Sequence, residues 1–285
     1  MGTDTLLDII ATDMVDLAYD PTVHKLPIAA LTRDVKKAAD TLSRQEARYM
    51  VDLFRQIQDY RIQSGNQITS MLDEPHELFT FMAGQMATLE RQIQATLDRW
   101  SLADPLGQWA RAQRGVGPVI AAGLLAHIDL DKAPTVGHIW RFAGLDPTVV
   151  WNKGEKRPWN ADLKVLCWKL GESFTKVSGH PDGYYGHIYK NRKAIELERN
   201  AAGDFADQAA QVLATRKIGK ETDAYAAYSV GKLPPAHIHA RAKRYAVKMF
   251  LSHYHEIGYE LMGKTPPKPF AIAHMEHAHY IPPPR

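Results

Sequence analysis

Apolar positions in the first hundred residues recur every three or four, the period of one helix face. In "SRQEARYMVDLFRQIQDYRIQ" (43–63), Ala47, Met50, Val51, Phe54 and Ile57 share such a face. Ser43 stands before it and Glu46 follows three residues on. That is the pair in which hydroxyl and carboxylate each satisfy an orphan backbone N–H at a helix start. A second seam runs through Leu78, Met82, Met86, Leu89, Ile93, Leu97 and Trp100. It follows "DEPHE", where Asp73 is the expected cap and Pro75 sits in the first turn, where a missing N–H costs little. A narrow seam of this length predicts a helical hairpin, covered either within the monomer or by a homo-oligomer through the 78–100 helix.

After "SLADP" (101–105) the pattern breaks into short helices expected at 106–114, 118–128 and 136–143. Residues 147–160 read as a loop, 161–174 as a helix and "SGHPDGYYG" (178–186) as a turn. One helix is expected over 192–217 and a long one over 235–261, followed by a Pro-rich, extended surface tail. The fold class is therefore mainly α. Residues 1–102 form an N-terminal helical hairpin or bundle, 103–265 a helix-hairpin-helix core with C-terminal helices, and 266–285 a Pro/His-rich tail.

Composition narrows the function classes. With 285 residues, 45% of them apolar, the chain can bury a sizeable core. No apolar run approaches a membrane span, so no membrane partner is expected. Asp4, Asp8, Asp13 and Asp16 make the N-terminus unlike a secretory signal, and the single cysteine, Cys167, fits a reducing cytoplasm. The net charge of +3 is uneven: residues 1–100 hold 10 Lys/Arg and 15 Asp/Glu, and residues 101–285 hold 25 and 17. A polyanion-facing surface is thus expected after residue 100.

"RGVGPVIAAGLLAHIDL" (114–130) is the most specific local signal. Gly115 and Gly117 permit a tight reversal, and Pro118 falls where its absent N–H would be unpaired anyway. The N–H groups near Val116 and Val119 are expected to point outward at the start of the next helix, a ready phosphate site. Arg111 and Arg114 lie just before it. A β-branched side chain at 117 is expected to block phosphate and to oppose the turn's backbone angle. The plainer reading is an αα turn with a close helix crossing, eased by Ala121, Ala122 and Gly123.

"GVGPVIAAGLLAHID" with the following "VGHIWRFAGLDP" resembles the C-terminal domain of the Piv/MooV-type insertion-sequence transposases. The pieces are Gly115 to Asp129, Ala143 to Pro147, Lys153 to Arg157 and Leu163–Lys164, within residues 105–170. The resemblance implies DNA binding in recombination or mobile-element biology. Those transposases also carry an N-terminal ribonuclease-H-like domain whose first acid lies on a strand, and a serine before a Lys-Arg-Gly stretch. Here the N-terminal third is helical, and "KGEKRPWN" has no serine. The chain is therefore expected to bind DNA without cutting it. The alternatives are a transposase or recombinase enzyme acting with a partner or an unrecognised nucleophile, and a helical interaction protein that binds no nucleic acid.

Two basic segments extend the candidate surface. "WNKGEKRPWNADLKVLCWK" (151–169) interleaves Trp151, Trp159 and Trp168 with Lys153, Lys156, Arg157, Lys164 and Lys169. Cations track a backbone and an exposed indole stacks on an unpaired base. The ordinary place for Trp159 and Trp168 is the core, so the cations are expected to face water and the indoles to be buried. In "PPAHIHARAKRYAVKMF" (234–250), Arg241, Arg244 and Lys248 share one helix face, and no acid occurs between Lys232 and Lys248. The expected partner is DNA, double-stranded or branched, with RNA as a further polymer of the same charge. No cofactor and no metal are expected: His253 and His255 lie two apart on a helix and diverge, and His274, His277 and His279 offer no fixed set of ligands.

Overall fold

The capping pair at Ser43 forms as the sequence predicts. In the computed structural model, which describes residues 31, 33–71, 77–268 and 280–285, the Ser43 hydroxyl accepts the Glu46 N–H at 3.2 Å. The Glu46 carboxylate in turn accepts the Ser43 N–H at 2.7 Å. A short helix α1 (Arg33–Ala38) leads into α2 (Arg44–Ser70), and α3 (Glu77–Leu102) returns beside it. The two are antiparallel: Trp100, near the end of α3, donates its indole N–H to the Leu42 carbonyl at 2.8 Å, and Arg61, late in α2, pairs with Glu90. Asp73 and Pro75 lie outside the described residues.

The chain continues as α4 (Pro105–Ala112), α5 (Pro118–His127), α6 (Val136–Phe142), α7 (Ala161–Lys176), α8 (Tyr184–Ala202), α9 (Ala206–Thr215), α10 (Asp223–Ser229) and α11 (Pro235–Leu261). No strand occurs among the described residues, so the fold is mainly α. The expected single helix over 192–217 is corrected. α8 begins inside the expected turn and ends at Gly203, whose φ of 89° is left-handed. That conformation suits a residue without Cβ and stops a helix. α9 then starts a satellite core of Phe205, Ala209, Tyr228, Leu233 and Ile238.

α5 is the centre of the molecule. Every residue from Ala121 to His127 is buried, as a helix apolar on all sides must be. Ala122 and the half-buried Val119 join Val51, Phe54, Ile93 and Leu97 of the α2–α3 hairpin. Ala121, Leu124 and Leu125 join the larger core with α4, α7 and α11. The α3 seam is thus covered by α2 and α5 at its C-terminal half, whereas Met82 near its start is 47% exposed. In the larger core Phe174 stacks on Tyr185 with centroids 5.0 Å apart, and Phe250 meets Tyr185 edge-on at 5.1 Å and Phe174 at a tilt at 5.6 Å.

The C-terminal segment is pinned. Pro282 and Pro284 lack N–H groups, so this stretch offers mainly carbonyls. Tyr184 donates its hydroxyl to the Pro282 carbonyl at 2.8 Å and Trp109 its indole N–H to Pro284 at 2.9 Å. His253 Nε2 lies 2.9 Å from the Ile281 carbonyl, and its Nδ1 lies 2.9 Å from the Tyr185 hydroxyl. A carbonyl can only accept, so Nε2 carries the proton and Nδ1 accepts from Tyr185. No helix among the described residues is long and apolar enough to cross a membrane.

Candidate nucleic-acid interface

The hairpin between α4 and α5 is built by local bonds that use several of its candidate groups. Arg111 donates Nε to Asp98 at 2.7 Å and Nη1 to the Val116 carbonyl at 2.6 Å, so it holds the turn rather than facing solvent. Gly115 has φ 97°, and its carbonyl accepts the Ser173 hydroxyl at 2.6 Å. The expected outward N–H at Val116 is corrected: it donates to the Gln113 carbonyl at 2.9 Å, and the side chain is buried.

Gly117 also differs from expectation. Its φ of −80° and ψ of 171° are extended backbone that any residue adopts, so the turn's left-handed angle belongs to Gly115 alone. A Cβ built at Gly117 meets nothing within 4 Å. That open space lies at the start of α5, which has no side-chain cap. The N–H groups of Gly117, Val119 and Ile120 find no acceptor among the described residues. Three free donors at a helix start, with the positive end of its dipole, favour an anion. Arg114 beside them is exposed and has no ion-pair partner among the described residues.

A shallow groove of about 190 Å³ opens at Gly117, lined in part by Arg55, Gln58 and Lys169. Lys169 donates to Gln58 Oε1 at 3.2 Å, and Arg55 pairs with Asp162 at 3.3 Å. Lys169, the last cation of the Trp-interleaved segment, thus lies on α7 at this groove.

The loop before α7 holds the second group. Asn160 anchors it, donating its N–H to the Phe142 carbonyl at 2.9 Å while its side chain accepts the Leu163 N–H at 2.7 Å. Trp151 donates to the Glu155 carbonyl at 2.9 Å and meets Trp159 edge-on, centroids 5.8 Å apart. Arg157 lies 5.4 Å above Trp151, and Lys164 lies 3.8 Å above Trp159. Burial, then the charge of Arg157, holds Lys164 below the ordinary lysine range. Lys153, Lys156 and Arg157 are exposed and have no ion-pair partner among the described residues. Trp159 is half-buried, but the expectation of a buried Trp168 is corrected: it is 58% exposed, with Lys243 5.2 Å above its ring. α7 turns that side of the ring outward because its buried stripe runs through Leu163, Leu166, Cys167 and Leu170.

The stripe on α11 divides. Arg241 donates to Glu196 at 2.7 Å and to Gln208 at 2.9 Å. Glu196 is 1% exposed and also accepts from Arg192 at 2.8 Å, so this is an internal ionic cluster. Lys248 lies 4.0 Å over Trp140, and burial lowers its pKa. Arg244 alone of the three is exposed and has no ion-pair partner among the described residues. His255 bonds the Ala133 carbonyl at 2.7 Å and His253 the C-terminal segment, so the two diverge. His274, His277 and His279 lie outside the described residues.

Of the candidate cations among the described residues, Arg114 at the start of α5, Lys153, Lys156 and Arg157 on the loop before α7, and Arg244 on α11 therefore remain exposed and free of ion pairs. Comparison with protein-family models, curated proteins and solved structures finds no match for the chain.

Proposed function

We propose that this chain binds nucleic acid, double-stranded or branched DNA in the first place, through phosphate contacts, and serves DNA recombination as a transposase-like binding part. The observation that carries the reading is the loop before α7, residues 151–160. Lys153, Lys156 and Arg157 are exposed without acidic partners among the described residues, beside a Trp151 that is 43% exposed. Free cations track phosphates, and a partly open indole offers a face to an unpaired base. Gly117, Val119 and Arg114 add a helix-start anion site, and the resemblance of residues 105–170 to a transposase domain adds direction.

The test is anisotropy of a labelled duplex across a salt series. The logarithm of affinity falls with that of salt by about 0.9 for each phosphate neutralised. A Lys153→Ala, Lys156→Ala, Arg157→Ala triple variant is expected to flatten that slope by roughly 2 to 3. A second reading, a helical interaction protein whose hairpin is only a turn, is favoured by the internal bonds of Arg111, Gly115 and Val116. Wild-type binding that is insensitive to salt, or a triple variant with an unchanged slope, leaves that second reading in place.

A further inference from the structure

A cavity of about 450 Å³ opens at the far end of α5 from Gly117. The ten residues of α5 separate the two by about 15 Å at 1.5 Å per residue. Four stretches of chain build the cavity: the start of α2, the segment from His127 to Ala133, α6, and Pro158 of the loop before α7. Its volume lies in the range of sites that enclose small ligands.

Its charge is one-sided. Arg44, Arg48, Lys132 and Arg141 line it, against Asp129 as the one acid in the lining. Asp129 already holds two of these cations, Lys132 at 3.1 Å and Arg44 at 3.8 Å. Arg48 is oriented by donating Nε to the Ala126 carbonyl at 2.7 Å, and its two terminal nitrogens have no partner among the described residues. Arg141 is exposed and makes no ion pair among the described residues. Two guanidinium groups thus stand free over a cavity where four Lys/Arg charges face one Asp, a surplus of +3.

His127 lies within it. It is 6% exposed, and neither ring nitrogen has a hydrogen-bond partner among the described residues. Buried polar groups are as a rule paired, and an unpaired one destabilises the fold until a partner arrives. Burial, then the charge of Arg48, keeps this imidazole below its ordinary pKa, so one nitrogen is a donor and the other an acceptor. The remaining wall includes His138, whose Nδ1 lies 3.0 Å from the Thr135 hydroxyl, and the apolar, partly flat side chains of Ile139, Phe142 and Pro158. Phe142 is 44% exposed.

We propose that this cavity binds a phosphate monoester carried on a flat, weakly polar body, as in a nucleoside monophosphate, with the phosphate between Arg48 and Arg141 and the body against Phe142. A dianion matches the surplus of positive charge, and paired guanidinium groups suit phosphate oxygens. A single carboxylate would leave most of that charge unanswered. His127 supplies the hydrogen bond that orients the ligand. The same chemistry is presented by a free nucleotide and by the 5′-phosphorylated end of a strand. The site stands apart from the Gly117 end of α5 and does not rest on the proposed duplex binding.

Calorimetric titration of the full chain with adenosine 5′-monophosphate, adenosine and inorganic phosphate tests the proposal. A 5′-phosphorylated oligonucleotide and its 5′-hydroxyl form make the second pair. We expect the monophosphate to bind at least tenfold more tightly than adenosine or phosphate. Arg141→Ala, a surface change, should weaken it at least tenfold, and Phe142→Ala should weaken the monophosphate while leaving phosphate unchanged. Binding of the oligonucleotide only when it is 5′-phosphorylated, lost in Arg141→Ala, supports the site with a strand end as the source. Equal binding of adenosine and its monophosphate, full affinity in Arg141→Ala, or binding of neither phosphorylated probe overturns the proposal.

Discussion

The bond network of His253 makes stability depend on pH in a way that one substitution should remove. The side chain is 1% exposed, and burial lowers its pKa to about 4 from the ordinary 6.5, the bond to Ile281 opposing only in part. The neutral ring is the form that fits, because Nδ1 must accept from Tyr185 while Nε2 donates. A histidine depressed on folding contributes stability that is present above its unfolded pKa and lost as pH falls toward its folded one. Between pH 6.5 and pH 4 the unfolded chain binds a proton here and the folded chain does not. At 1.36 kcal/mol per pH unit, the loss between pH 7 and pH 5 is about 2 kcal/mol. His253→Leu removes that dependence but leaves the Tyr185 hydroxyl and the Ile281 carbonyl unpaired, costing about 2 to 4 kcal/mol at pH 7. Urea unfolding of both proteins at pH 7 and pH 5 reads the two effects. The gap between wild type and variant should narrow by about 2 kcal/mol at pH 5, since His127 and His255 titrate alike in both. An equal acid-induced loss in the two proteins would refute the assignment.

Three further outcomes follow from local geometry and burial. Gly115→Ala forces a side chain into left-handed backbone, with its Cβ 3.2 Å from Val177 and 3.3 Å from Phe174, and should cost about 1 to 3 kcal/mol. Gly117→Ala, in extended backbone and open space, should stay within roughly 1 kcal/mol of wild type in the same unfolding assay, and equal losses would contradict the assignment of the turn. Cys167, buried with its thiol pushed up to about 12, should resist an aromatic disulfide reagent in the folded protein and react only on unfolding; rapid native labelling would show that the α7 core opens.

What could be read from the chain was what depends on near neighbours. The Ser43–Glu46 box, the α2–α3 seam and the helix after Pro118 are each set within a few residues, and each formed. The break at Gly203 was written in the same alphabet but lay inside a stretch whose flanks both carry a helical period. α10 was missed because it is seven residues long and buries only Tyr228. Side-chain partners were the harder part. Nothing near Arg241 announces that Glu196, on another helix, takes its charge, and nothing near Arg111 shows that it will close back on Val116. The cavity at His127 joins α2 to α6 and could not be assembled from any one segment. The exposure of Trp168 likewise depends on which side of α7 its neighbours cover.

The apolar character of α5 on every side carries a consequence for how its rotation is chosen. An amphipathic helix is oriented by water, which rejects one face; α5 has no face for water to reject, so burial is nearly indifferent to its angle about its own axis. The choice falls to shape and to tethers. Gly123 leaves room for Leu166, where an added Cβ would stand 2.7 Å from its methyl group. At the N-terminal end the Arg111 guanidinium and the Ser173 hydroxyl hold two successive carbonyls, those of Val116 and Gly115. These polar contacts act as a rotational lock: losing them would permit several near-equivalent settings of the central helix, and with them several directions in which the donors at Gly117 could point.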